Sequence, residues 1–306
     1  MGTDPIFRNR KWGLSPFFGP HFSSSFLSLF FLLLAGCAEI PSQPLGAVRF
    51  GLMGDTPYFD QEVARLDLLI DDMNAHELAF VAHIGDIISG RGPCTDEWFD
   101  ARKRQFDRIR HPFILLPGDN DWTDCHRSGF DPMERLGYWR KLFCFQEKIR
   151  LERQSGPYCE HVRWESSGYL FVALNVQGSN DNLGRTPAMD AEHAERSRAV
   201  LAWVDDSEKR FREKKLAGMV LLMQANPFLA PRAGASGYTG ILNKLRALGA
   251  AYPGKIVLVN GDTHTYRDDE PLPGLRRIEV FGSPSVRWLQ GAVVSGALRV
   301  SPAASR

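Results

Sequence analysis

Five places in the chain set a carboxylate or an amide directly after a short apolar run. They are Asp55, Asp86, Asp119 with Asn120 and Asp121, Gln224 with Asn226, and Asp262 with His264. A glycine comes before the acid in Gly54-Asp55, Gly85-Asp86, Gly118-Asp119 and Gly261-Asp262. One such pair is an ordinary turn. A recurring set that reaches one place is different, because carboxylates gathered away from water repel one another unless a cation neutralises them. Oxygen ligation of a divalent metal is the chemistry that such a gathering offers.

The elements that must carry these groups are legible around them. Val48 to Met53, Leu78 to Ile84 and Phe113 to Leu116 are short runs rich in β-branched and aromatic residues, each bounded by Gly or Pro, and read as buried strands. Tyr169 to Val176, Met219 to Met223, Ile256 to Val259 and Arg277 to Phe281 read the same way, with closing strands near Val294 and Leu298. Between them, Glu62 to Met73 sets Val63, Leu66, Leu69 and Ile70 at helical spacing. Thr95 is a candidate N-cap for a second helix that offers Trp98, Phe99 and Phe106 to a core. Ala188 to Lys214 is a long charged helix with Val200, Leu201 and Val204 on its apolar side. The alternation predicts a layered α/β fold with helices outside. Asp55 and Asp86 are 31 residues apart, Asp86 and Asp119 are 33 apart. One strand-helix-strand unit takes about 30 residues, so the acids recur once per unit, at the sheet edge where open α/β folds bind ligands.

The ordered series Gly54-Asp55, Gly85-Asp86, Gly118-Asp119-Asn120-Asp121 and Gly261-Asp262-Thr263-His264 resembles that of the calcineurin-like metallophosphoesterases, over roughly Val48 to Phe281. The resemblance implies a β-sandwich flanked by helices with two divalent metal ions at the strand ends. By the same resemblance Asp55 holds one metal, Asp86 bridges both, Asp119 stands at the family's Asn ligand, and His264 joins Asp55. Gln224 and Asp262 complete the set, and Asn120 exchanges roles with Asp119 if the loop is shifted by a residue. The chain departs from the family's pattern at Pro57, Asn120, Gln224 and Asp262, each standing where the family has a His. The remaining carboxylates, amides and single imidazole form a harder ligand set, which favours manganese, magnesium or iron over zinc. The implied reaction is hydrolysis of a phosphate ester by a metal-activated water. Asn120 stands at the position of the family's catalytic His and cannot supply a proton. His126 is the candidate substitute, and Arg127 or Arg91 the candidate phosphate clamp. His83 reads as orienting the second loop, Tyr58 and Trp122 as core or rim packing, and Gly178-Ser179-Asn180 as a capped turn outside the site.

Composition limits the partners. With 37 basic and 36 acidic side chains, formal charge is +1, and nothing points to nucleic acid. Arg8, Arg10 and Lys11 precede an apolar run from Phe26 to Ala35, which is too short to cross a bilayer and suits a signal peptide. Leu34-Ala35-Gly36-Cys37 resembles a bacterial lipobox. The expected organisation is a signal peptide over 1–36, a tether over 37–46 and a metallophosphoesterase-like domain over 47–306. The chain would be exported and held on a membrane by lipidated Cys37, in the bacterial periplasm or at the cell surface; a plain secretory signal is the alternative. An oxidising compartment favours disulfides among Cys94, Cys125, Cys144 and Cys159, with Cys94–Cys125 and Cys144–Cys159 the expected pairs. The functional expectation is a phosphomonoesterase or phosphodiesterase. The alternative is a surface protein that keeps the fold without turnover.

Overall fold

Strand alternation builds the architecture. In strand β1 (Val48–Met53), Phe50 and Leu52 join one core cluster and Met53 another. The same split recurs in β6 (Tyr169–Ala173), where Phe171 and Ala173 part from Leu170 and Val172. In β7 (Gly218–Leu222) Val220 and Leu222 part from Met219 and Leu221, and in β8 (Ile256–Asn260) Val257 and Val259 part from Ile256 and Leu258. Successive side chains leave a strand on opposite faces, so strands apolar on both faces are covered on both.

The computed structural model describes residues 47–145, 148–229 and 234–304. The apolar run 26–35, Cys37 and the 37–46 tether lie outside the described residues. Among the described residues, no helix is long and apolar enough to cross a membrane.

Two mixed sheets face each other. The five-stranded sheet runs in the order β12 (Ala297–Pro302), β11 (Leu289–Val294), β1, β2 (Val81–His83), β3 (Phe113–Leu115). The seven-stranded sheet runs β4 (Glu152–Arg153), β5 (Val162–Ser166), β6, β7, β8, β10 (Leu275–Glu279), β9 (Arg267–Leu272). Strands β1, β2 and β3 are parallel, and so are β6, β7, β8 and β10. An aromatic group locks the sheets together: Phe171 lies 5.3 Å from Phe50 and 4.9 Å from Phe80 between ring centres. Helices α1 (Asp60–Asn74), α2 (Asp96–Phe106) and α3 (Pro132–Phe143) cover the outer face of the first sheet. Helices α4 (Pro187–Glu213) and α5 (Thr239–Ala251) cover the second. Thr95 caps α2 as expected, its side chain accepting the Trp98 amide.

The expected disulfides are both present, Cys94–Cys125 and Cys144–Cys159. One expectation needs correcting. The candidate residues do not share a single sheet rim: Asp55, Asp86 and Asp119 follow strands of the first sheet, Gln224 and Asp262 follow strands of the second. Parallel strands in each sheet carry the two sets to adjoining edges.

Candidate metal centre and cleft

At the strand ends the chain must turn sharply, and the site residues make the turns themselves. Asp55, Asp86, Asp262 and His264 all have left-handed backbones, with φ of 49°, 60°, 79° and 61°. Asp and His tolerate this region better than most residues, and strain of this kind gathers at functional sites. The glycines explain themselves by close approach. A Cβ on Gly261 would lie 2.2 Å from Asp55 Oδ2, and one on Gly118 would lie 2.0 Å from Asp86 Oδ1. The glycine of one loop thus makes room for the carboxylate of another.

Asp55 and Asp86 are both buried. The backbone amide of Asp262 donates to both Asp55 oxygens at 3.1 Å. Asp86 Oδ1 accepts the Asn120 amide at 3.0 Å, and its Oδ2 accepts the Tyr58 hydroxyl at 2.9 Å. The Gln224 NH2 reaches Asp55 Oδ1 at 3.4 Å and Asp86 Oδ2 at 3.1 Å. Its oxygen is committed elsewhere, accepting the Gly178 amide at 2.6 Å. Tyr58 is therefore no rim residue. Its phenol oxygen also accepts from Asn120 Nδ2 at 2.9 Å and lies 3.1 Å from His264 Nε2. The His264 ring is set by Nδ1–H donating to the Ser283 carbonyl at 2.7 Å, which leaves Nε2 facing the centre, 3.9 Å from Asp55 Oδ1.

Asp119 takes the other side. Its Oδ2 accepts the Ser179 hydroxyl at 2.8 Å, and its Oδ1 is buried with no hydrogen-bond partner. Ser179, expected outside the site, also contacts Asp124, and it sits in a left-handed turn at Gly178–Asp181. The fully buried Arg196 of α4 holds that turn, binding the Asp181 carboxylate at 2.6 Å and the Asn175 carbonyl at 2.9 Å. Asp121 is a brace: it accepts the Gly118, Asp86 and Ile87 amides at 2.8, 3.0 and 2.8 Å and so ties two loops together. His83 acts as expected, Nδ1 accepting the Gly85 amide while Nε2–H donates to the Thr56 carbonyl. Burial pushes its pKa down to about 4, which keeps the ring neutral. Trp122 is core.

Burial, then mutual repulsion, governs the carboxylates. Asp55 is pushed well above the usual range by burial and then by Asp262, Asp86 by burial and then by Asp119. Asp262 and Asp124 are each raised to about 7 by burial and then by Asp119. A cation or a proton relieves such a cluster. The donor set suits a cation: oxygen ligands, an unpartnered buried oxygen on Asp119, and a cradle at Gly178, where a Cβ would lie 2.7 Å from both Asp119 Oδ1 and Asp262 Oδ1.

Above the carboxylates opens a cleft of about 580 Å³. One wall presents His126 and the two guanidinium groups of Arg127 and Arg185. Arg127 binds Asp124 at 2.6 Å, and Arg185 lies 3.5 Å from the same residue. His126 Nδ1–H donates to the Thr123 carbonyl at 2.9 Å. Of the sequence-predicted residues, Asp86, Asp119, Asn120, His126, Arg127, Asp262 and His264 line the cleft, while Asp55 and Gln224 lie beneath it. Sequence reasoning missed Tyr58, Asp124, Ser179 and Arg185. The Gly-Ser-Asn turn directly after a strand was the available signal for Ser179.

No protein-family model matches the chain, and no curated protein matches it in sequence. Solved structures do. The chain is similar to a dimetal phosphatase from Danio rerio, with 14% identity and a TM-score of 0.54 over 85% of this chain and 96% of that one. It is also similar to the structure of PhoD, with 10% identity and a TM-score of 0.50 over 86% of this chain and 69% of that one. The two facing sheets, their flanking helices and these neighbours together identify the fold of this chain as that of the calcineurin-like metallophosphoesterases.

Proposed function

We propose that the protein is an exported, metal-dependent phosphoesterase that hydrolyses a phosphomonoester or phosphodiester. One observation carries the reading: Asp86, Asp119, Asp262 and His264 line the floor of a cleft with buried Asp55 beneath them, and the cleft wall presents Arg127 and Arg185. An acidic floor takes a divalent cation, and a cationic wall takes the phosphate oxygens. The residues proposed to gather around the cation, which is Mn, Mg or Fe, are Asp55, Asp86, Asp119, Asn120, Gln224, Asp262 and His264. The cation supplies Lewis-acid polarisation of the phosphate and an activated water.

The chain's own residues do the remaining work. Arg127 is held on Asp124 and orients the phosphoryl group. Asn120 turns its amide onto Tyr58 and fixes the phenol against Asp86. His126, with Nδ1–H on Thr123, delivers a proton to the leaving oxygen from Nε2 when the ring is charged. Lipidated Cys37 places the domain at a membrane outside the cytoplasm.

The test is hydrolysis of an aryl phosphate and an aryl phosphodiester with Mn²⁺, Mg²⁺ or Fe²⁺ added in turn. Turnover that needs a divalent cation supports the reading. Absence of both turnover and bound cation rejects it. The Gln224 NH2 turned toward two carboxylates favours a second reading, a surface protein that binds without hydrolysis. Retained cation with no turnover across a broad substrate panel would select that reading.

A further inference from the structure

We infer that the centre takes one divalent cation rather than two, seated between Asp119 and Asp262. The inference rests on the metal-dependent reading above and deepens it. The Asp55–Asp86 half of the site is already closed by hydrogen-bond donors. All four of its carboxylate oxygens accept from N–H or O–H groups: the Asp262 and Asn120 amides, the Gln224 NH2 and the Tyr58 hydroxyl. The Gln224 amide cannot simply turn its oxygen to that half. Its oxygen holds the Gly178 N–H at 2.6 Å, and a turned amide would set NH2 against N–H. Asp55 Oδ1 and Asp86 Oδ2, the two oxygens that share the Gln224 NH2, each accept two hydrogen bonds, so a cation between them would face that NH2 and find both oxygens' lone pairs taken.

The Asp119–Asp262 half is the reverse. Asp119 is 7% exposed, yet its Oδ1 has no partner. Asp262 Oδ1 faces the same gap, and the gap exists because residue 178 carries no side chain: each oxygen lies 2.7 Å from where its Cβ would be. Asp119, Asp262 and Ser179 also line the cleft. Magnesium-like ions are commonly held by one or two carboxylates, with water and substrate phosphate completing the sphere. Two carboxylate oxygens that converge on one gap, on residues that also line the cleft, match that mode.

Native mass spectrometry and titration calorimetry of the purified protein with Mn²⁺ test the count. The expected result is a single Mn²⁺ per chain, bound at least tenfold more weakly in Asp119→Asn and within about threefold of wild type in Asp55→Asn. Two ions per chain overturn the inference, as does loss of binding in a folded Asp55→Asn. Should Asp55→Asn lack a cooperative unfolding transition, the electron paramagnetic resonance spectrum of the wild-type Mn²⁺ form decides. A resolved hyperfine pattern marks an isolated ion, and an exchange-broadened spectrum marks a coupled pair and sinks the idea. No bound Mn²⁺, Mg²⁺ or Fe²⁺ rejects the metal-dependent reading itself, a result distinct from two.

Discussion

Tyr58 and the carboxylates decide behaviour at the scale of single residues. The phenol stands among Asp86, Asn120 and His264, so Tyr58→Phe strips a donor from Asp86 and an acceptor from Asn120. Losing a hydrogen bond to a buried charged group costs about 1.5–3 kcal/mol, and urea unfolding of the cation-free protein should show a loss of that size. The carboxylates set a pH dependence. Asp124 and Asp262 have pKa values raised to about 7 from an ordinary 3.8, so the folded state holds protons that the unfolded state releases. Stability then falls as pH rises from 3.8 through about 7, and below 3.8 the groups contribute nothing because both states are protonated. Thermal unfolding without divalent cations should therefore give a higher midpoint near pH 5 than near pH 8. Saturating Mn²⁺ should flatten the difference, because a bound cation replaces the protons. Most of the site was legible because a Gly-Asp pair after an apolar run says where a carboxylate must go. Tyr58 was not. An aromatic residue near a ligand is ordinarily packing, and only the tertiary approach of Asp86 gives its hydroxyl a partner. Asp124 and Arg185 escaped for a similar reason: 61 residues separate them, and neither has a local pattern to join them.

Loops at the element scale owe their positions to a few ties. Cys94–Cys125 links the segment before α2 to the loop after β3, and its sulfurs lie 3.6 and 3.5 Å from the Asn120 carbonyl oxygen. The bridge thus sits against the backbone of the residue that fixes Tyr58. A crosslink closing a loop of 31 residues constrains the unfolded chain by about 3–4 kcal/mol. The Cys94→Ser/Cys125→Ser double variant should lose stability of that order in urea unfolding, with faster amide hydrogen exchange at Asn120 than at Val81. If exchange at Asn120 keeps its wild-type rate, the bridge does not position the loop. Fold elements read from sequence fell where expected when their apolar pattern was strong, as in β1, α1 and α4. Helices α3 and α5 were not foreseen, though Asp131 caps α3 through the Glu134 amide with Pro132 at its first turn. The pairing of β4 with β5 and of β9 with β10 was equally hidden, because β9 is largely polar with no buried residue and its partner alone makes it a strand.

The whole molecule makes one site from two sheets, and this has a consequence that no single loop carries. Asp119 reaches the centre from the first sheet, Asp262 and Gly178 from the second. Their spacing depends on how the sheets sit face to face, which the Phe50, Phe80 and Phe171 contacts set. Phe171→Ala removes the ring that touches both partners, and a buried Phe→Ala or Trp→Ala change costs about 3–5 kcal/mol. Trp203→Ala, in the core between α4 and the outer face of the second sheet, should cost a similar amount. The two variants part at the site. Phe171 lies in β6, whose end carries Gly178 and Ser179 toward Asp119, so its loss lets the sheets shift where the carboxylates face each other. Trp203 sits outside that contact. Calorimetric titration should thus show weaker Mn²⁺ binding in Phe171→Ala and near wild-type binding in Trp203→Ala, at matched losses of stability. Equal weakening in both would mean that the centre responds to global stability and not to the spacing of the sheets.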